Sequence, residues 1–213
     1  IDQSILNRDF PLAILSSVIL LYFIRDNRLS RPEGLILLTL MIGYLSLTVV
    51  SAIRHTIDID VQEHYLPMHT SLLYIVLGLA AIIFGGDLVV DNACQIAAAF
   101  GLSETLIGLT IVAIGTSLPE LVTSITASRK GESGLALGNV VGSNLFNILF
   151  ILGLSSTVHP IAAQETAMMD ILILIIMTTV IYIFCRIRGT MGRFMGALCV
   201  AAYAAYSVYI VLR

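Results

Sequence analysis

Charge is what this sequence has least of. Lys, Arg, Asp and Glu make up 12% of its 213 residues and apolar types 58%. A water-facing domain carries about 25% charged residues and roughly 45–50% apolar ones. The shortfall excludes a solvated globular body and, with a mean hydropathy of +0.97, makes lipid the main solvent. A net charge of −3 leaves no basic footprint for nucleic acid or another polyanion. Cysteine is also scarce. Cys94, Cys185 and Cys199 stand in apolar runs without metal-ligand spacing, and read as small buried apolar residues. Residues 1–10 are polar, with Asp2, Arg8 and Asp9, and lack the apolar core of a signal peptide. No histidine lies inside an apolar run. That excludes a Ser–His pair or an H-E-x-x-H zinc motif within the membrane, and with them an intramembrane enzyme.

What the sequence does hold is apolar runs of membrane length. A bilayer core of about 30 Å needs ~20 apolar residues per helix. Seven candidate spans fit, at 10–24, 35–53, 71–90, 105–127, 135–157, 168–185 and 194–212. The first and sixth are short, and reach the interface if Arg25 and Arg186 snorkel. The expected fold is an all-α, polytopic transmembrane helix bundle. Seven spans put Arg8, Arg54, Arg129, Lys130, Arg186, Arg188 and Arg193 on one side, and Arg25, Arg28, Arg31 and Arg213 on the other. The first group is larger, so its side is the cytoplasmic one.

The chain also repeats itself. Residues 9–25 (DFPLAILSSVILLYFIR) resemble residues 170–186 (DILILIIMTTVIYIFCR). Each opens on Asp, passes a hydroxyl pair and closes on Arg. If the hairpin at 10–53 is B, the spans at 71–157 are A′ and the pair at 168–212 is B′, the order B–A′–B′ leads one to expect a unit A ahead of residue 1.

Polar chemistry concentrates in A′, at GLTIVAIGTSLPEL (108–121) and GLALGNVVGSNLFNILFILG (134–153). A charge at the centre of a membrane helix costs roughly 2.5–3.5 kcal/mol, so an intramembrane carboxylate is a functional candidate. Glu120 is one, about 15 Å before the boundary marked by Lys130 at 1.5 Å per residue. Pro119 has no N–H and clashes with the carbonyl of Gly115, so the helix must kink there and free carbonyls around 112–116. A helical path would put Thr116, Ser117 and Glu120 on one face. Together these are hard oxygen ligands of the kind Ca²⁺ and Na⁺ prefer. In the second segment Asn139, Ser143 and Asn147 form a polar stripe at four-residue spacing. Gly134, Gly138 and Gly142 allow close helix approach. That stripe also fits simple helix–helix hydrogen bonding.

The pattern G-T-S-L-P-E in one helix and G-N-x-x-G-S-N-x-x-N in the next resembles the α-repeats of the sodium/calcium exchanger superfamily, and more narrowly the prokaryotic calcium/sodium antiporters. The likeness is strongest over 71–160 and extends through R-D-x-P-L (8–12) and L-S-R-x-E-G (29–34). It implies a ten-helix inverted repeat, of which these spans are helices four to ten. On that plan residues 1–53 are the last two helices of the first repeat, 54–70 a cytoplasmic connector and 71–213 the second five-helix repeat. It also implies calcium/sodium antiport by alternating access in a prokaryotic inner membrane, with no cofactor beyond the transported calcium and sodium. The family's ligands fall on Glu120, Ser117, Thr116, the carbonyl of Ala113, Ser143 and Asn147. The implied partners are the two ions, the bilayer and the first repeat of the same protein. Position 147 is Asn where some members carry Asp, which bears on potassium dependence. One carboxylate neutralises half of a Ca²⁺ charge, so a second is expected from the first repeat. Proton- or potassium-coupled exchange, and a non-transporting membrane assembly protein, are the alternatives.

The rest reads as ordinary. The 54–70 stretch, with His55, Asp58, Asp60, Glu63, His64 and His69, has no glycine and is a solvated connector, not an EF-hand loop. Asp87 and Asp91 are expected to be wetted at the end of span 71–90. His159 ends a helix beside Pro160, and Ser103 is a helix N-cap.

Overall fold

The computed structural model describes residues 1–54, 67–102 and 107–212. The expected N-cap at Ser103 and most of the 54–70 connector lie outside them. Nine helices are described: α1 (Phe10–Phe23), α2 (Arg31–Arg54), α3 (Met68–Ala99), α4 (Ala113–Thr116), α5 (Leu118–Arg129), α6 (Ser133–Leu145), α7 (Gly153–Val158), α8 (Ala167–Arg188) and α9 (Arg193–Leu212). π-Helical turns lead into α1 (Ile5–Asp9) and α4 (Gly108–Val112), and a third joins α6 to α7 (Phe146–Leu152).

Six helical runs have the length and composition to cross a membrane: Ile5–Asp26, Arg31–Ile53, Met68–Ala99, Ser133–Val158, Ala167–Arg188 and Arg193–Leu212. A bent pair, Thr110–Thr116 with Leu118–Arg129, makes the seventh. The chain is therefore a multi-pass membrane helix bundle, as its composition demands. Several spans run longer than expected, and the first, third and sixth change how the sequence is read. The first and sixth are full spans of 22 residues each, and the polar residues that seemed to cut the first one short are accommodated inside it. Arg8 Nε lies 2.7 Å from Asp9 Oδ1, the Tyr44 hydroxyl donates to the same oxygen at 3.3 Å, and Arg186 Nη1 donates to Asn7 Oδ1 at 2.8 Å. Paired in this way, the buried Asp9 escapes the cost of an isolated charge. α3 runs 32 residues, ~48 Å at 1.5 Å per residue, longer than the hydrocarbon core. Asp87 and Asp91 stand on it exposed.

The chain forms two compact units that cut across its sequence order. One takes Ile1–Ile59 and Gly131–Thr190, the other Asp60–Lys130 and Met191–Arg213.

The first unit has a continuous apolar core, centred on Leu37, Leu145 and Cys185. α1 and α8, the two segments that resemble each other in sequence, pack together, with the Phe10 and Tyr182 rings 5.7 Å apart. α2 crosses α7 backbone to backbone. A Cβ on Gly34 would meet Ser156 Oγ and stand 2.7 Å from the Gly153 carbonyl. One on Gly153 would stand 3.2 Å from the Gly34 carbonyl. Of the glycine row at 134, 138 and 142, the first two face residues 2–5. Ideal Cβ atoms there would come 3.8 Å from Asp2 Cβ and 3.5 Å from Ile5 Cδ1, while Gly142 meets nothing within 4 Å. The turn after α1, with Asn27 left-handed (φ 57°), carries β1 (Arg28–Leu29). It pairs antiparallel with β2 (Ile161–Ala162), Arg28 opposite Ala162. Before the chain enters α1, the Asp2 carboxylate accepts the Ser4 N–H at 2.8 Å, and that bond holds its pKa below the usual carboxylate value.

In the second unit α3 runs against the α4–α5 segment. A Cβ on Gly115 would collide with Val90 Cγ2, so only glycine allows α3 this close to the turn that precedes the bend.

Candidate cation site

The helix through 108–129 breaks where proline chemistry says it must. α4 ends at Thr116, α5 starts at Leu118, and the two meet at 50°. Ser117 sits between them at φ −95°, ψ 2°, in the sparsely populated bridge region. Its N–H turns to the Ile114 carbonyl, three residues back, at 3.1 Å. Pro119, four residues after Gly115, has no N–H to give the Gly115 carbonyl.

The Ala113 carbonyl accepts two hydroxyls instead, Thr116 Oγ1 at 3.1 Å and Ser117 Oγ at 3.4 Å. Three of the six expected ligand groups therefore form one cluster at the break. The fourth, Glu120, stands in the first turn of α5, with its Oε2 atom buried. The continuous helical face expected for Thr116, Ser117 and Glu120 is not what holds them. Thr116 closes one helix, Ser117 is the joint and Glu120 opens the next, because the proline breaks the path between them.

A break of this kind concentrates oxygen. The C-terminal carbonyls of one helix carry the negative end of its dipole and favour a cation. The two hydroxyls direct their protons at Ala113, so their oxygen lone pairs face away from that carbonyl. Among the described residues no group of three or more His, Cys, Asp or Glu side chains could hold a metal. The oxygen set here is one carboxylate and neutral groups, suited to a hard cation that also keeps other ligands.

Ser143 and Asn147 belong to the first compact unit. Ser143 Oγ donates to the Val140 carbonyl at 3.0 Å, and Asn147 is exposed in the π-helical turn Phe146–Leu152. The four-residue stripe from Asn139 is thus regular only as far as Ser143. The wider π turn rotates Asn147 off that row. Nothing in the sequence marks that turn, nor those at Ile5–Asp9 and Gly108–Val112. Gly115 is legible as a glycine, but its partner Val90 is not.

Known proteins agree with this architecture. The family profile described as sodium/calcium exchanger protein matches residues 70–212. CaxA of Alkalimonas amylolytica is 41% identical over 162 residues, covering 73% of this chain and 51% of that protein. The inner membrane protein YrbG of Escherichia coli is 35% identical over 217 residues, 97% of this chain and 67% of YrbG. The solved sodium/calcium exchanger of Methanococcus jannaschii superposes with a TM-score of 0.79 at 31% identity, covering 98% of this chain and 65% of that one. The chain thus spans about half to two thirds of the length of these relatives. By the profile match, the identity and the shared fold, it belongs to the sodium/calcium exchanger family.

Proposed function

We propose that this chain carries the second ion-binding repeat of a calcium/sodium antiporter that works by alternating access. The observation behind this reading is the broken helix. The Ala113 carbonyl and the Thr116 and Ser117 hydroxyls converge at a 50° bend, one turn before an acidic residue in an otherwise apolar span. In this reading Glu120, Ser117, Thr116 and the Ala113 carbonyl ligate the cation from the α4–α5 break. Ser143 and Asn147 contribute from the helix that follows. A first repeat, expected from the B–A′–B′ order, supplies a second carboxylate and completes neutralisation of Ca²⁺. That the solved relative is a sodium/calcium exchanger supports the choice of ions.

The test is calcium uptake into sodium-loaded vesicles that bear the chain together with that first repeat, native against Glu120→Gln. Uptake that requires the outward sodium gradient and disappears in the Gln variant supports the reading. Unchanged uptake in the variant removes Glu120 from the site. Uptake that follows a proton or potassium gradient instead reassigns the coupling ion and leaves the ligands standing.

A further inference from the structure

In the second unit, the joint between α4 and α5 is held only loosely by its own backbone. The Ser117 N–H reaches three residues back, to the Ile114 carbonyl at 3.1 Å, the poorer geometry of a tightened turn. Pro119 supplies no N–H at all. Such a joint is softer than the helices it connects, so the place of the Ala113, Thr116 and Ser117 oxygens depends on what a neighbouring side chain holds still.

That side chain comes from α3. Two residues turn a helix by about 200°, so Gly115 lies across the turn from both Ala113 and Ser117, whose oxygens belong to the cluster. Val90 fills the far side. An ideal Cβ on Gly115 would overlap Val90 Cγ2 and stand 3.2 Å from its Cβ and 3.4 Å from its Cγ1, so the whole isopropyl group surrounds the glycine. Gly115 is buried. On α3, Ala93 and Ala97 share the face of Val90 at i+3 and i+7, and Ala97 is buried as well. Val90 is the bulkiest of the three, and branching at Cβ leaves it one strongly preferred rotamer in a helix. It is a stiff knob in a glycine notch. The contact lies within one compact unit and is already made, whatever else packs on the bundle.

We propose that Val90 is a positioning residue for cation binding, holding the α4–α5 break from behind and so setting the spread of the Ala113, Thr116 and Ser117 oxygens. This rests on the reading of that cluster as part of the cation site. A break without its backstop has to be ordered by the cation itself, which lowers affinity. A seated one is in place before the ion arrives. Val90 touches no ion in this scheme and acts only through Gly115.

Two measurements test this. The first needs no ion and is amide hydrogen exchange of the purified full chain. Val90→Ala should speed exchange over 113–121 about tenfold and leave 141–149, in the other unit, within about twofold. Val90→Thr, which keeps the branched shape, should behave as the native protein does. The second is calcium uptake into vesicles that also bear the first repeat. Val90→Ala should raise the KM for calcium about fivefold with the maximal rate within about twofold. Gly115→Ala should do worse. Combining it with Val90→Ala, which moves methyl bulk from α3 to α4, should bring KM back to within about twofold of native. Unchanged exchange over 113–121 in Val90→Ala, or equal acceleration everywhere, overturns the role of Val90. So does a double variant no better than Gly115→Ala. If Gly115→Ala does not fold, the contrast between Val90→Ala and Val90→Thr decides. Native vesicles that take up no calcium overturn the antiport reading instead, and the exchange result still settles whether Val90 holds the break.

Discussion

The same four-residue pattern, Ser-x-Pro-Glu, stands at Ser30–Glu33 and again at Ser117–Glu120, and the two do different work. At the start of α2 it behaves as a helix cap. Glu33 reaches back to accept the Ser30 N–H, the reciprocal half of a capping box. A left-handed turn at Asn27 and the β1 strand precede it, so the helix begins afresh. At α5 another helix comes immediately before. Ser117 makes no side-chain capping bond. Its hydroxyl goes backward to Ala113 and its N–H to Ile114, which relieves Glu120 of the capping role. A local pattern supplies the groups, and what precedes it decides whether they close a helix end or gather at a break between two helices.

Paired substitutions sharpen this contrast. The largest effect is expected at the acids. Glu120→Gln should cut calcium uptake by at least about a hundredfold, ~2.7 kcal/mol, while Glu33→Gln leaves uptake within about twofold and lowers thermal stability slightly. Proline comes next. Pro119→Ala returns an N–H to the Gly115 carbonyl and lets the break straighten, so uptake should fall roughly tenfold. Pro32→Ala, in a first helical turn where proline is at home, should change stability by under about 1 kcal/mol. Equal losses at the two prolines would falsify the claim that the bend is functional. One residue beyond the cap, Gly34→Ala forces a Cβ against Ser156 and should destabilise the purified protein by roughly 1–3 kcal/mol, read as a drop in melting temperature. The smallest pair is at the serines. Ser30→Ala should cost ~1 kcal/mol as a lost cap. Ser117→Ala should spare stability and weaken apparent calcium affinity about threefold, ~0.7 kcal/mol. A stability loss at Ser117 as large as at Ser30 would erase the distinction.

Much of this was legible in the sequence because it is local. A proline four residues after Gly115 removes one hydrogen bond wherever the helix goes, so the break and its oxygen cluster follow from the residues alone. Seven apolar runs likewise give seven spans. What escaped depends on partners distant in sequence. Asp9 and Arg8 looked like the end of a span because charges are costly in lipid, yet Tyr44 and their own pairing let the helix run on. A close helix crossing uses Gly34 and Gly153, 119 positions apart, whereas regular spacing drew attention to Gly134, Gly138 and Gly142. The π turn at Asn147 has no signature of its own, so a stripe drawn at four-residue intervals drifts there.

The β1–β2 ladder has a consequence for how the protein is made. Arg28 and Leu29 wait for Ala162 and Ile161, about 130 residues later, or roughly 7–26 s at a synthesis rate of ~5–20 residues per second. Throughout that interval the first hairpin is already long enough to insert, while its ladder edge and the notch at Gly34 have nothing to close them. Early in its life the chain is a half-built bundle whose ladder edge and glycine notch stay open until β2 and α7 have been made.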